Sequence, residues 1–96
     1  MQRMLEKTPD DAFLLYGIGL EYKKMGDAKH AVEYLDKVIA VDPGYCYAYH
    51  QRGLVHESTG DLESAMRSYR DGMEAARQKG DSHAYGEIEA ALQMIG

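Results

Sequence analysis

The sequence predicts an all-α fold, an α-α superhelix (solenoid) of two helix–turn–helix repeats with a C-terminal capping helix. Three observations carry that expectation. Pro9, Gly19, Leu20, Gly26, Asp27 and Ala31 return at one constant offset as Pro43, Gly53, Leu54, Gly60, Asp61 and Ala65. A fixed period of about 34 residues marks stacked helical repeats. Gly-Asp pairs stand at 26–27, 60–61 and 80–81. In each, the glycine can end one helix in the left-handed region and the aspartate can cap the next. No stretch alternates apolar and polar residues as a half-buried strand does.

Taken in order, Met1, Met4 and Leu5 stand one full period before Leu35, Val38 and Ile39. Residues 1–8 therefore read as a short leading helix, the tail of an earlier second helix, stopped at Thr8-Pro9. Repeat one spans 12–45, with helices expected near 11–25 and 28–41. Repeat two spans 46–79, with helices near 45–59 and 62–78. Asp42-Pro43 separates them. In the second helices, Ala28, Ala31, Val32, Leu35, Val38 and Ile39 share one face, as do Leu62, Ala65, Met66, Tyr69, Gly72 and Met73. The last segment, 80–96, leaves the period, because Gly80-Asp81 follows Gly60-Asp61 well before the next repeat falls due. Ala84, Ile88, Ala91, Leu92 and Ile95 still form one apolar face, which suits a helix that covers the end of a stack.

At 96 residues the chain is one domain of modest core. Its net charge of −5, without a basic run, excludes the clustered Lys and Arg that nucleic acid binding rests on. The single cysteine, Cys46, allows no internal disulfide and fits a reducing, cytoplasmic setting. No apolar run is long enough to span a bilayer, and the start lacks a signal-peptide core.

These residues resemble the tetratricopeptide repeat family, whose pattern is large-x2-L-G-x2-Y, then A-x3-F, then P. Repeat one reads Leu15-x2-Ile18-Gly19-x2-Tyr22, then Ala31-x3-Leu35, then Pro43. Repeat two reads Tyr49-x2-Arg52-Gly53-x2-His56, then Ala65-x3-Tyr69. Gly19, Gly53, Ala31 and Ala65 are small where paired helices approach closely, and the larger residues fill the remaining space. Arg52 and His56 depart from the pattern, and so does Arg77, which stands where the closing proline falls. The first two predict a more polar layer in repeat two. The third predicts a helix that runs on toward Gly80.

On a helical wheel, Phe13, Tyr16 and Leu20 lie roughly 140° from the face of Leu15, Ile18, Gly19 and Tyr22. Tyr47, His50 and Leu54 are their counterparts in repeat two. Packing within a repeat does not require them. The resemblance implies that this face lines a concave groove where partner peptides dock, with Lys23, Lys24, Glu57 and Ser58 at its rim. The family subgroup that grips acidic chaperone tails uses Lys, Asn and Arg in the groove. Tyr16, Leu20, Tyr47 and Gln51 stand at the comparable places here, so an apolar or aromatic segment is the expected ligand.

Cys46 and His50 are four apart and share a helical face, but two further zinc ligands are missing, so no metal or other cofactor is expected. A catalytic cysteine needs a base, an orienting group and an oxyanion site, and only the base is near, so no enzyme is expected. The aromatic cluster Tyr45, Tyr47 and Tyr49 is divided by the repeat register between core and groove. The sequence therefore points to a non-enzymatic protein–protein interaction module using Phe13, Tyr16, Leu20, Lys23, Lys24, Tyr47, His50, Leu54 and Glu57. The alternative is structural self-association through the same surface, as a homodimer or by stacking on the repeats of a longer chain.

Overall fold

The computed structural model describes residues 11–95, and the expected leading helix over 1–8 lies outside them. Five helices follow one another: α1 Ala12–Lys24, α2 Ala28–Val41, α3 Cys46–Ser58, α4 Leu62–Lys79 and α5 Ser82–Ile95. No strand occurs among the described residues. α1 pairs with α2 and α3 with α4; α2 packs on α3 to join the pairs, and α5 packs on α4. The result is a slab of 41 × 30 × 16 Å.

The Gly-Asp pairs act as the sequence predicts. Gly26, Gly60 and Gly80 take φ of 81°, 81° and 75°. Asp27 N–H then donates to Tyr22 O (2.9 Å), Asp61 N–H to His56 O (2.9 Å) and Asp81 N–H to Ala76 O (2.9 Å). Carbonyls that a helix end leaves unpaired are thereby satisfied. One residue later the same aspartates start the next helix, their Oδ1 atoms accepting from His30 N–H (3.2 Å), Ser64 N–H (3.1 Å) and Ala84 N–H (3.0 Å). Asp11 caps α1 in the same way through Leu14 N–H at 3.1 Å.

α3 starts differently, with no side-chain cap at Tyr45. Its entry loop is braced from elsewhere. Gly44 N–H donates to Asp42 Oδ1 (3.1 Å), Tyr49 OH to Pro43 O (2.7 Å), and Lys79 Nζ to Gly44 O (3.2 Å). The last of these comes from the final turn of α4. That helix runs on past Arg77 as expected, so its extension secures the join between repeats.

Two apolar clusters make the core. Leu15, Ala31, Leu35, Val38, Ala48 and Val55 form the first, and Cys46, Ala65, Tyr69, Ala76, Ala84 and Ile88 the second. α3 serves both: Ala48 and Val55 face repeat one while Cys46 faces repeat two. The sequence pattern does not single out Ala48 and Val55; they are the layer that seals one repeat onto the next. Leu62 departs from its expected core position and is 49% exposed. It is the first residue of α4, where the helix has not yet come over α3, whereas Ala65 one turn later is fully buried.

Arg52, at a position that is leucine in the repeat pattern, is mostly buried and ties three helices together. Its Nε donates to Ser68 Oγ on α4 (3.0 Å) and its Nη1 to Asp36 Oδ1 on α2 (2.8 Å). Nη2 lies 3.8 Å from Asp71 Oδ2, and the guanidinium sits 5.5 Å from the centre of the Tyr49 ring. This is the polar layer that Arg52 and His56 predict.

The paired helices approach at glycines. A Cβ on Gly19 would meet Leu35 Cγ at 3.2 Å, and one on Gly72 would meet Tyr49 Cβ at 2.7 Å. A Cβ on Gly53 would run into the Tyr69 ring itself. Because that ring is fully buried and cannot swing away, Gly53→Ala is expected to cost ~3 kcal/mol by overpacking. Gly19→Ala is expected to change stability by less than ~1 kcal/mol, since Leu35 need yield only slightly and alanine is the better helix former. Urea unfolding of the two variants beside wild type measures the difference, and equal losses would refute the assignment of Gly53 as the tighter contact.

Candidate functional site

The face left over after packing belongs to three helices, α1, α3 and α5. α5 packs against α4, touches α3 along one edge and makes no contact with α1. It therefore lies beside α3, away from α1.

On α1, Phe13 is 79% exposed. It borders an apolar depression of about 390 Å³ with Leu14, Tyr16, Gly17, Ile18 and Leu20. Tyr16 is half-buried, its ring 5.0 Å from that of Tyr45, and burial beside that second phenol holds its pKa above the usual tyrosine value. Leu20 is also half-buried, and Lys24 is exposed. Lys23 turns toward α3 and donates from Nζ to Gln51 Oε1 at 2.5 Å.

On α3, Tyr47 and Leu54 are half-buried against the second core cluster. Tyr47 OH reaches α5 and donates to Glu87 Oε1 at 2.9 Å, a bond that raises the phenol's pKa. Glu87 Oε1 also lies 3.3 Å from His83 Nε2. His50 is half-buried, with its ring edge-on to Tyr69 at 6.0 Å between centres. Glu57 accepts a short hydrogen bond from Tyr69 OH. Burial and then that carboxylate push the Tyr69 phenol far above its ordinary pKa, so it stays a donor.

The nine expected residues thus divide. Among the described residues Phe13, Leu20, Lys24 and Leu54 hold no side-chain hydrogen bond. Tyr16, Lys23, Tyr47, His50 and Glu57 are tied into the fold by a ring contact or a hydrogen bond. Two residues that the sequence does not assign to the face are bonded to it, Tyr69 and Glu87, as is Gln51, which the family resemblance places there. Tyr69 carries a signal, because it replaces Leu35 of repeat one and a buried phenol needs a partner for its hydroxyl. Glu87 carries none, since its partner is 40 residues away.

Cys46 is buried, donates from Sγ to Gly44 O at 3.3 Å, and has its pKa raised by burial, the opposite of an activated thiol. Among the described residues no group of three or more His, Cys, Asp or Glu could hold a metal ion. No described helix is long and apolar enough to cross a membrane.

A sequence profile of the tetratricopeptide repeat matches residues 14–45 and 47–79. A TPR repeat-containing protein of Pseudomonas aeruginosa is 32% identical over 95 residues, which cover 99% of this chain and 90% of that one. The crystal structure of a tetratricopeptide repeat domain protein from Salinibacter ruber superposes with a TM-score of 0.80 at 26% identity, over 88% of this chain and 94% of that one. The crystal structure of MamA protein gives a TM-score of 0.77 at 30% identity, over 82% of this chain and 43% of the other.

Burial holds the His50 pKa below its usual value, against the pull of Glu87 and Glu57 and with the push of Lys23. The fold thus favours neutral imidazole, so its contribution to stability is complete above the unfolded pKa of about 6.5 and is lost as pH falls through that value toward the folded pKa. Proton NMR of the His50 ring is expected to titrate below about 6.5. His50→Gln is expected to flatten the decline of the urea midpoint between about pH 7 and about pH 5; an unchanged decline would remove His50 as its source.

Proposed function

Because the chain belongs to the tetratricopeptide repeat family, we propose that it is a non-enzymatic module that takes an apolar or aromatic segment of a partner protein against α1 and α3. The family and fold are those of protein–protein interaction or scaffold modules. One observation above the others supports an apolar or aromatic ligand. Phe13 is an aromatic side chain at the end of the apolar row, more than three-quarters exposed, and it has no role in either core cluster. Exposed apolar groups gathered into a patch mark interaction sites, and aromatic anchors ringed by polar groups dominate binding energy in such sites. Leu20, His50 and Leu54 continue the row, and Lys23, Lys24 and Glu57 edge it.

Self-association through the same row is the competing reading. One feature weighs against its stacked form. Ala48 and Val55, which seal repeat two onto repeat one, have Leu14 and Glu21 as their counterparts one period earlier. A glutamate in place of a buried valine disfavours a further repeat packed on α1 in the same manner.

Phe13→Ala separates binding from folding. It is expected to leave stability in urea within ~0.5 kcal/mol of wild type, as an exposed substitution does. It is also expected to lower affinity for the partner roughly tenfold or more, as loss of an anchor does. Affinity capture from the native host with wild type, Phe13→Ala and Tyr16→Ala/Tyr47→Ala reads the second effect. Identical captured sets would exclude the groove, and a concentration-dependent dimer in light scattering that is lost in Phe13→Ala would favour self-association.

A further inference from the structure

The groove carries opposite charges on opposite walls. Its α1 wall offers Lys23 and Lys24, and the far side offers Glu57 on α3 and Glu87 on α5. Among the described residues Lys23, Lys24 and Glu57 form no ion pair and Glu87 has only His83 at 3.3 Å, although elsewhere Arg52 pairs with Asp36 and Arg77 with Glu74. Lys23 donates to the neutral Gln51. Each carboxylate is held by a tyrosine hydroxyl, Glu57 by Tyr69 and Glu87 by Tyr47. The Tyr47 bond spans from α3 to α5, as the Lys23 bond spans from α1 to α3. Lys23, Glu57 and Glu87 are thus set in place before any ligand arrives, around the half-buried His50 whose ring feels all three, while Lys24 stays exposed.

Building on the groove reading, we propose that the occupant is a dipolar segment: an apolar or aromatic centre with an acidic side chain toward α1 and a basic one toward α5. A neutral segment would cover Lys23, Glu57 and Glu87 and return nothing for the water they lose. A segment of the opposite polarity would set like charges together at both ends. The dipolar one matches each wall, and the tyrosine-held carboxylates lose little freedom in meeting it. Charge of this kind fixes the direction in which a partner lies as well as its identity.

Fluorescence anisotropy of the full chain with labelled synthetic peptides tests this. Four short peptides share a centre of Phe, Leu and Tyr: one neutral, one with two Asp at one end, one with two Arg at the other, and one with both, each made in both chain orders. The peptide with both is expected to bind roughly tenfold tighter than the neutral one at about 0.02 M salt, with the advantage shrinking at about 0.15 M. Glu87→Gln, whose amide oxygen can still accept from Tyr47, is expected to bring it down to the affinity of the Asp-only peptide. Lys24→Gln is expected to bring it toward the Arg-only peptide. Equal binding of neutral and dipolar peptides would overturn the dipolar assignment while leaving the groove intact. Binding that neither substitution alters would overturn the assigned ends. Absence of binding by every peptide would overturn both the assignment and the groove on which it rests.

Discussion

Everything in this fold depends on two helices being allowed to touch backbone to side chain. In repeat two the place of contact is Gly53, over which the Tyr69 ring lies flush enough that no Cβ fits between them. Gly72 returns the arrangement toward Tyr49 and Ile88. Helices that close cross with little choice of angle or register, because the ring fills the gap that other pairings would leave. With the pair fixed, the remaining faces of α3 are fixed as well: one toward repeat one, one toward α5, one outward. The outward face is what is left when those packing demands are met.

Tyr69 links that core contact to the surface. Its ring is fully buried under Gly53, and its hydroxyl emerges at Glu57 beneath His50. Leu35, its counterpart in repeat one, fills the same role in the core without any polar tip. The two repeats are therefore alike as scaffolding and different as surfaces. Arg52 extends the contrast on the other side of α3, where a position suited to leucine holds a cation shared among Asp36, Ser68 and Asp71. Both acids are about half exposed, so these pairs add modest stability. Their effect is orientation, since one planar group holds α2, α3 and α4 in a single arrangement.

The sequence pattern reaches most of this architecture because its signals are local. A glycine followed by aspartate ends one helix and begins another by hydrogen bonds spanning a few residues, and all three such pairs do so here. The faces of α1 and α3 proposed for binding come from the same kind of signal, since spacing within one helix determines which of its residues share a face. Leu62 escapes the wheel because a wheel ignores where along its neighbour a helix begins. Ala48 and Val55 escape it because alanine and valine fit nearly any face, and only the docking of repeat on repeat selects them. Glu87 enters the site through a partner, Tyr47, that lies 40 residues away. No periodicity encodes such a pairing.

The Gly-Asp hinges also leave the chain without slack. Each leaves two or three residues between helices, and the glycine and aspartate among them both have their backbone N–H groups engaged. An inserted residue would have no loop in which to hide; it would rotate the following helix by about 100° and carry its apolar face away from the core. Length variation is thus shut out of these hinges, while surface chemistry is free to diverge position by position. The rigid spacing that makes the architecture easy to recognise is the same property that lets one outward face be rewritten without disturbing the rest.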